Sequence, residues 1–255
     1  MRFARGLKHM LMNTYSPLIL LVLWEVSVRC GFVNSIFIPT PSSLFSEFSR
    51  LVLAGTLAKD CGISLMRILA GLVVGGLPGL ILGVFMGRKR SVYLFMNPLV
   101  NMAYPVPKIA LIPFIILMLG IGEASKITVI ALGAFFIMLI NTCHGVSSID
   151  RRYFDVARVY KFSAMDRWLD IIIPASMPSM FNGIRLSSGL CFSLVVAAEF
   201  IGGSSGIGYR LWTSWEAFDI KRMFVSLIVI SLMGWAFNAI IDMIGERAMP
   251  WKART

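Results

Sequence analysis

The side chains that most often do chemistry are few in this 255-residue sequence, and their spacing brings none of them together. The two histidines, His9 and His144, sit apart from any carboxylate cluster, and Cys30, Cys61, Cys143 and Cys191 show no C-x-x-C spacing for zinc or a redox pair. There is no G-x-S-x-G elbow, no H-E-x-x-H and no G-x-x-x-x-G-K-[ST] phosphate loop. The chain therefore reads as a non-enzyme with no cofactor or metal of its own. The stretch from Gly202 to Gly208, GGSSGIG, superficially suggests a nucleotide loop, but it follows an apolar helix and not a strand, and it reads as an external loop.

What remains are isolated charges within apolar stretches. Lys108 lies among Pro98, Pro105, Pro107 and Pro113, and a lysine at that depth must face protein or water. It either attracts an anionic solute or satisfies backbone carbonyls freed by the prolines. Glu199 reads as a gate residue or as the ion-pair partner of Arg210 or Arg67. Arg67 and Arg185, close to the ends of their stretches, read as snorkelling or structurally paired. Pro105, Pro107, Lys108 and Glu199 are thus the candidate pathway residues.

These positions are held by a membrane protein. Hydrophobic residues make up 57% and charged residues 15% of the chain, against about half and about a quarter in soluble domains. Six spans of the ~20 residues a bilayer requires are expected, at Pro17–Val33, Cys61–Gly87, Val92–Leu119, Ser125–Val146, Pro178–Ile201 and Met223–Ile244. The formal net charge of +11 would suggest nucleic acid in a soluble protein, but the basic residues lie mostly between spans and are not interleaved with stacking aromatics. Arg2, Arg5, Lys8, Arg88 to Arg90, the five basic residues from Arg151 to Arg167, Arg247, Lys252 and Arg254 fall on one side, which outweighs the other and is expected to be cytoplasmic, with both termini. The first span lacks a small-residue cleavage site and is expected to be retained.

Three irregularities stand out. Thr40-Pro41 reads as an N-cap and first helical residue of a short amphipathic helix at the outer interface. Gly71, Gly75, Gly79, Gly83 and Gly87 recur every four residues and predict a groove for close packing of a neighbouring helix. The four prolines of the third span predict a break near its middle, which must be buried in protein or line a wet cavity.

The segment from Asp150 to Pro178 is long, basic and helix-compatible through Trp168, and is closed by Pro174 and Pro178. Tyr153, Phe154, Val156, Ala157 and Tyr160 would supply apolar docking area. Asp155, Arg158 and Lys161 would add polar contacts. Such a helix lies on lipid or docks in a groove of another protein.

The segment resembles the E-A-A coupling loop of importer-type ABC transporter permeases. Asp155, Val156 and Ala157 fall on E-A-A, Lys161 on the following glycine, and Ile171, Ile173 and Pro174 on I-x-L-P, with the spacing intact. Lysine removes the residue type that most readily supplies positive φ, so a changed bend is expected at Lys161. The stretches Ile38–Pro41, Ser64–Gly71, Tyr104–Pro113, Gly120–Lys126, Ala197–Glu199 and Gly202–Gly208 resemble the nitrate, sulfonate, taurine and bicarbonate branch of these permeases. The resemblance implies an all-α type I ABC importer permease fold with six transmembrane helices and a cytoplasmic coupling helix, in the bacterial cytoplasmic (inner) membrane. It also implies a homodimer of permeases, two cytoplasmic ATPase subunits that carry ATP and Mg, and an extracytoplasmic solute-binding protein. Residues 1–55 would hold the N-terminus, first span and interfacial helix, residues 56–247 the permease domain, and residues 248–255 a cytoplasmic tail.

Overall fold

The computed structural model describes residues 18–251, so Arg2, Arg5, Lys8, His9, Pro17, Lys252 and Arg254 lie outside the described residues. Every regular element among the described residues is helical. In chain order these are α1 (helical over 18–29), α2 (Pro41–Leu53), α3 (Thr56–Arg88), α4 (Arg90–Ala103), a 3-10 turn (Ile109–Leu111), α5 (Ile112–Leu119), α6 (Glu123–Ser147), α7 (Arg151–Val159) and α8 (Ala164–Asp166). A π-turn (Arg167–Ile172), α9 (Ile173–Gly202), α10 (Ile207–Glu216) and α11 (Ile220–Ala248) complete the chain.

Among the described residues, four helices are long and apolar enough to cross a membrane: Thr56–Arg88, Glu123–Ser147, Ala164–Gly202 and Ile220–Ala248. The third expected span is divided into α4 and the stretch Ile109–Leu119, with the break at Tyr104 to Lys108 where the prolines cluster. The fifth differs from expectation. Pro174 and Pro178 do not close the segment that begins at Asp150, and helix continues through both to Gly202. Pro174 is the second residue of α9 and follows directly on the π-turn. Just before it the ladder slips to π-register, with the Ile173 N–H donating to the Trp168 carbonyl.

The residues form two compact units. In one, the residues up to Asp60 join Arg210–Val229. Here Thr40 caps α2 as expected, accepting from the Ser43 N–H at 3.3 Å, and Pro41 opens the helix. Glu25 of α1 accepts from the Ser42 N–H at 3.0 Å and so anchors that same terminus. Glu47 of α2 takes hydrogen bonds from Arg50 and Arg222, which hold its carboxyl below the usual range. Arg210 pairs with Asp60 at 2.8 Å.

The other unit comprises Cys61–Tyr209 and the chain from Ile230 onward. Its centre is α6, whose Val129, Ile130, Ala134, Met138 and Leu139 are buried. α9 packs along it through Cys191, Leu194 and Val195. The glycine stripe of α3 meets the same helix. A Cβ at Gly75 would overlap the Ala131 carbonyl, one at Gly79 the Phe135 carbonyl, and those at Gly83 and Gly87 would lie 2.6 and 2.7 Å from the Leu139 and Cys143 oxygens. A Cβ at Gly71 would collide with Ile130. The two backbones therefore touch along about four turns, the close approach that small residues permit.

Gly76, outside the stripe, would meet only Met138, at an ordinary 3.5 Å. Gly75→Ala is expected to cost ~1–3 kcal/mol through forced separation of the helices, whereas Gly76→Ala should be neutral or slightly stabilising. Thermal unfolding of the two variants in detergent reads the difference, and equal tolerance would contradict the close approach.

Candidate functional site

The break in the third span exposes carbonyls that helix no longer satisfies. Lys108 turns back over them. Its Nζ donates to the carbonyls of Ala103 at 3.2 Å, Val106 at 2.8 Å and Tyr104, and lies 4.7 Å from the centroid of the Phe136 ring. The ammonium thus closes the end of α4 and rests on an aromatic face. Pro105 and Pro107 stay exposed on either side of Val106.

Glu199 is fully buried at the end of α9, and of the two readings, gate or ion-pair partner, the structure shows the pairing. Arg67 of α3, 1% exposed, donates to Glu199 Oε1 at 2.7 Å, and Arg210 takes no part, being paired with Asp60. Ser64, one turn before Arg67, donates to the same oxygen at 2.8 Å, and the Gly208 N–H donates to Oε2 at 2.7 Å. Arg67 also donates to the Ser205 carbonyl at 2.8 Å and to Glu123 at 2.6 and 2.5 Å. The GGSSGIG stretch is therefore folded around a carboxylate. Gly206 adopts φ +107, and a Cβ there would overlap the Glu199 carboxyl. Such an arrangement satisfies a charge at depth, as burial requires. Ser64, Glu123 and Ser205 were not assigned from sequence. The one available signal was the one-turn spacing that puts Ser64 on the face of Arg67.

The segment from Asp150 to Pro174 forms two helical pieces around a sharp turn. Asp150 caps α7 by accepting from the Arg152 N–H at 2.9 Å. At its other end the Lys161 N–H donates to Arg158 O at 3.2 Å and the Phe162 N–H to Ala157 O at 2.9 Å, a closure that needs a left-handed residue between them. Lys161 supplies it, at φ +53. The expectation that lysine would change the bend is corrected: the crossing hydrogen bonds hold the lysine in that conformation. Ser163 then opens the second piece in a capping box with Asp166, at 3.2 and 2.9 Å.

The expected docking residues divide into two sets. Tyr153, Val156 and Tyr160 are 60%, 55% and 74% exposed, together with Val159, which the sequence reading had not singled out. Ala157 is buried and cannot supply docking area, a correction that follows from its position on the inner face of α7. Phe154 is half-buried, with the Arg88 guanidinium 5.1 Å from its ring centroid. Asp155 pairs with Arg158 at 3.2 Å on the exposed side. Ile171 is buried, Ile173 is exposed and Pro174 is half-buried, so this end of the segment is rooted at the π-turn.

Two outcomes follow. Arg67→Met leaves Glu199 buried without a counter-charge and is expected to cost ~3–5 kcal/mol, whereas Glu123→Gln, at a half-exposed site, should cost no more than ~1 kcal/mol. Comparable losses in thermal unfolding would contradict the network. Lys161→Gly should raise stability by ~1 kcal/mol by relieving the left-handed residue, and a loss would contradict that geometry.

Residues 79–251 match the family model described as "Binding-protein-dependent transport system inner membrane component". SsuC of Bacillus subtilis (strain 168), named for aliphatic sulfonates transport, is 33% identical over 236 residues, 92% of this chain and 86% of that protein. SsuC of Escherichia coli (strain K12) is 34% identical, covering 86% and 84%. The nitrate import permease protein NrtB of Leptolyngbya laminosa is 30% identical, covering 73% and 67%. Among solved structures, a chain of the MetNI methionine ABC transporter in inward-facing conformations superposes with TM-score 0.65 at 17% identity, over 79% of this chain and 98% of that one. That likeness identifies the fold, the type I ABC importer permease fold. The chain belongs to the family of binding-protein-dependent transport system inner membrane components, as a membrane permease of the ABC importers.

Proposed function

We propose that this permease lines the import pathway for a small anionic solute, of the sulfonate, nitrate or bicarbonate kind, in a bacterial cytoplasmic membrane. Family membership implies ATPase and solute-binding partners in general. In our reading two copies of the chain form the pathway, each with six spans and cytoplasmic termini, and a solute-binding protein delivers the solute from outside. ATP and Mg belong to two cytoplasmic ATPase subunits. The identities of SsuC and NrtB support the anionic solute.

The observation that carries the reading is α7. Tyr153, Val156 and Val159 on a nine-residue helix, with Tyr160 just beyond its end, expose apolar surface otherwise flanked by charge, while Ala157, Phe154 and Ile171 root the segment in the permease. A helix docked by one face and anchored by the other can carry a rigid-body displacement from a partner into the membrane. The break at Pro105 to Lys108 provides non-helical backbone beside the pathway.

Val156→Asp is expected to abolish co-elution of the ATPase subunits and solute-dependent ATP hydrolysis in proteoliposomes. Its thermal stability should change by less than ~0.5 kcal/mol, as for an exposed site. Undiminished co-elution would refute α7 as the docking helix.

A further inference from the structure

The exposed faces of α9 and α11 differ in kind. Between residues 232 and 244 the most exposed residues of α11 are apolar, including Leu232, Trp235, Ile240, Met243 and Ile244, as lipid requires, and Asp242 is the one charged residue in that stretch. Over residues 182 to 193 of α9 the exposed residues are Asn182, Arg185, Gly189 and Ser193, on one helical face, with Leu186 beside them. Arg185 donates to Asp242 at 3.2 Å, and these side chains are 56% and 44% exposed. One turn away Asn182 donates to Asn141 Oδ1 at 3.1 Å. A Cβ at Gly189 would meet nothing within 4 Å.

This group lies well inside the helices. Asn141 and Asp242 are each six residues from the ends of α6 and α11, about 9 Å at 1.5 Å per residue. A half-exposed ion pair with neighbouring amides is costly against hydrocarbon and is better placed against protein or water. Open space along Gly189 argues for water. The single hydrogen bond to Asp242 leaves most of the planar donor fork of Arg185 available, and that fork suits an oxyanion.

We propose that the face formed by Asn182, Arg185, Gly189 and Ser193 lines the aqueous solute pathway, and that Arg185, oriented by Asp242, is a specificity-determining contact for anionic solutes. The inference rests on the pathway reading above and gives it a site. Lys108, committed to three carbonyls, is not needed for that role.

The test is the aqueous reactivity of Ser193→Cys in the complete reconstituted transporter, with the four native cysteines replaced by alanine. The probes are an anionic reagent, sulfonatoethyl methanethiosulfonate, and its cationic trimethylammonioethyl counterpart. Ser193→Cys should react with both, and Trp235→Cys with neither. Arg185→Gln should lower the anionic-to-cationic rate ratio about tenfold, and Asp242→Asn should raise it, so that a folding defect in one variant leaves the other informative. A silent Ser193→Cys in a transporter that still imports overturns the lining of the pathway and leaves the import reading standing. A ratio unmoved by either substitution overturns the role of Arg185. Failure of the ATPase subunits to associate refutes the import reading, and labelling of the permease alone still reports on this face.

Discussion

In hydrocarbon no water is available to satisfy a polar group that the protein leaves unpaired, and the irregular features of this chain follow from that constraint. Where prolines divide α4 from α5, the Lys108 ammonium covers the carbonyls of Ala103, Tyr104 and Val106. Where Pro174 interrupts the ladder, a π-turn supplies the substitute bond from Ile173 to Trp168. Glu199, buried among helices, is met by Arg67, Ser64 and a backbone N–H. The first two solutions are local and the third is tertiary, joining α3 to α9.

A second tertiary constraint is the contact of α3 with α6. Glycines at every fourth position let the backbones touch, so the position of α3 is set by main-chain atoms and not by adaptable side chains. Arg67 lies on that same helix, so the glycine stripe also places the guanidinium that gathers Glu123, Glu199 and Ser205. The loop from Gly202 to Gly208 is thereby tied to the core by charge, and the segment from Arg151 to Pro174 by the buried Ala157 and Ile171.

Much of this was legible in the sequence, for identifiable reasons. Period-four glycines, clustered prolines and the Thr40-Pro41 cap each have one local consequence, and each consequence is observed. The pairing of Glu199 with Arg67 was foreseen only as one of two options, because residues 132 positions apart in sequence meet through tertiary packing that no spacing encodes. Lys161 misled because intrinsic preference speaks against positive φ in lysine, whereas the two crossing hydrogen bonds of the turn require it. Ala157 reads as apolar docking area until the rotation of α7 on its base turns it inward. The continuity of helix through Pro174 was hidden because a π-turn has no simple sequence signal.

In our proposal, force from a nucleotide-binding partner enters through the exposed face of α7. The most direct measurement places a photo-crosslinking amino acid at position 156, with position 232 of α11 as the lipid-facing control, in the assembled transporter. A cross-link to the ATPase subunit is expected from position 156 and none from position 232. An importing transporter in which position 156 labels only lipid would contradict it.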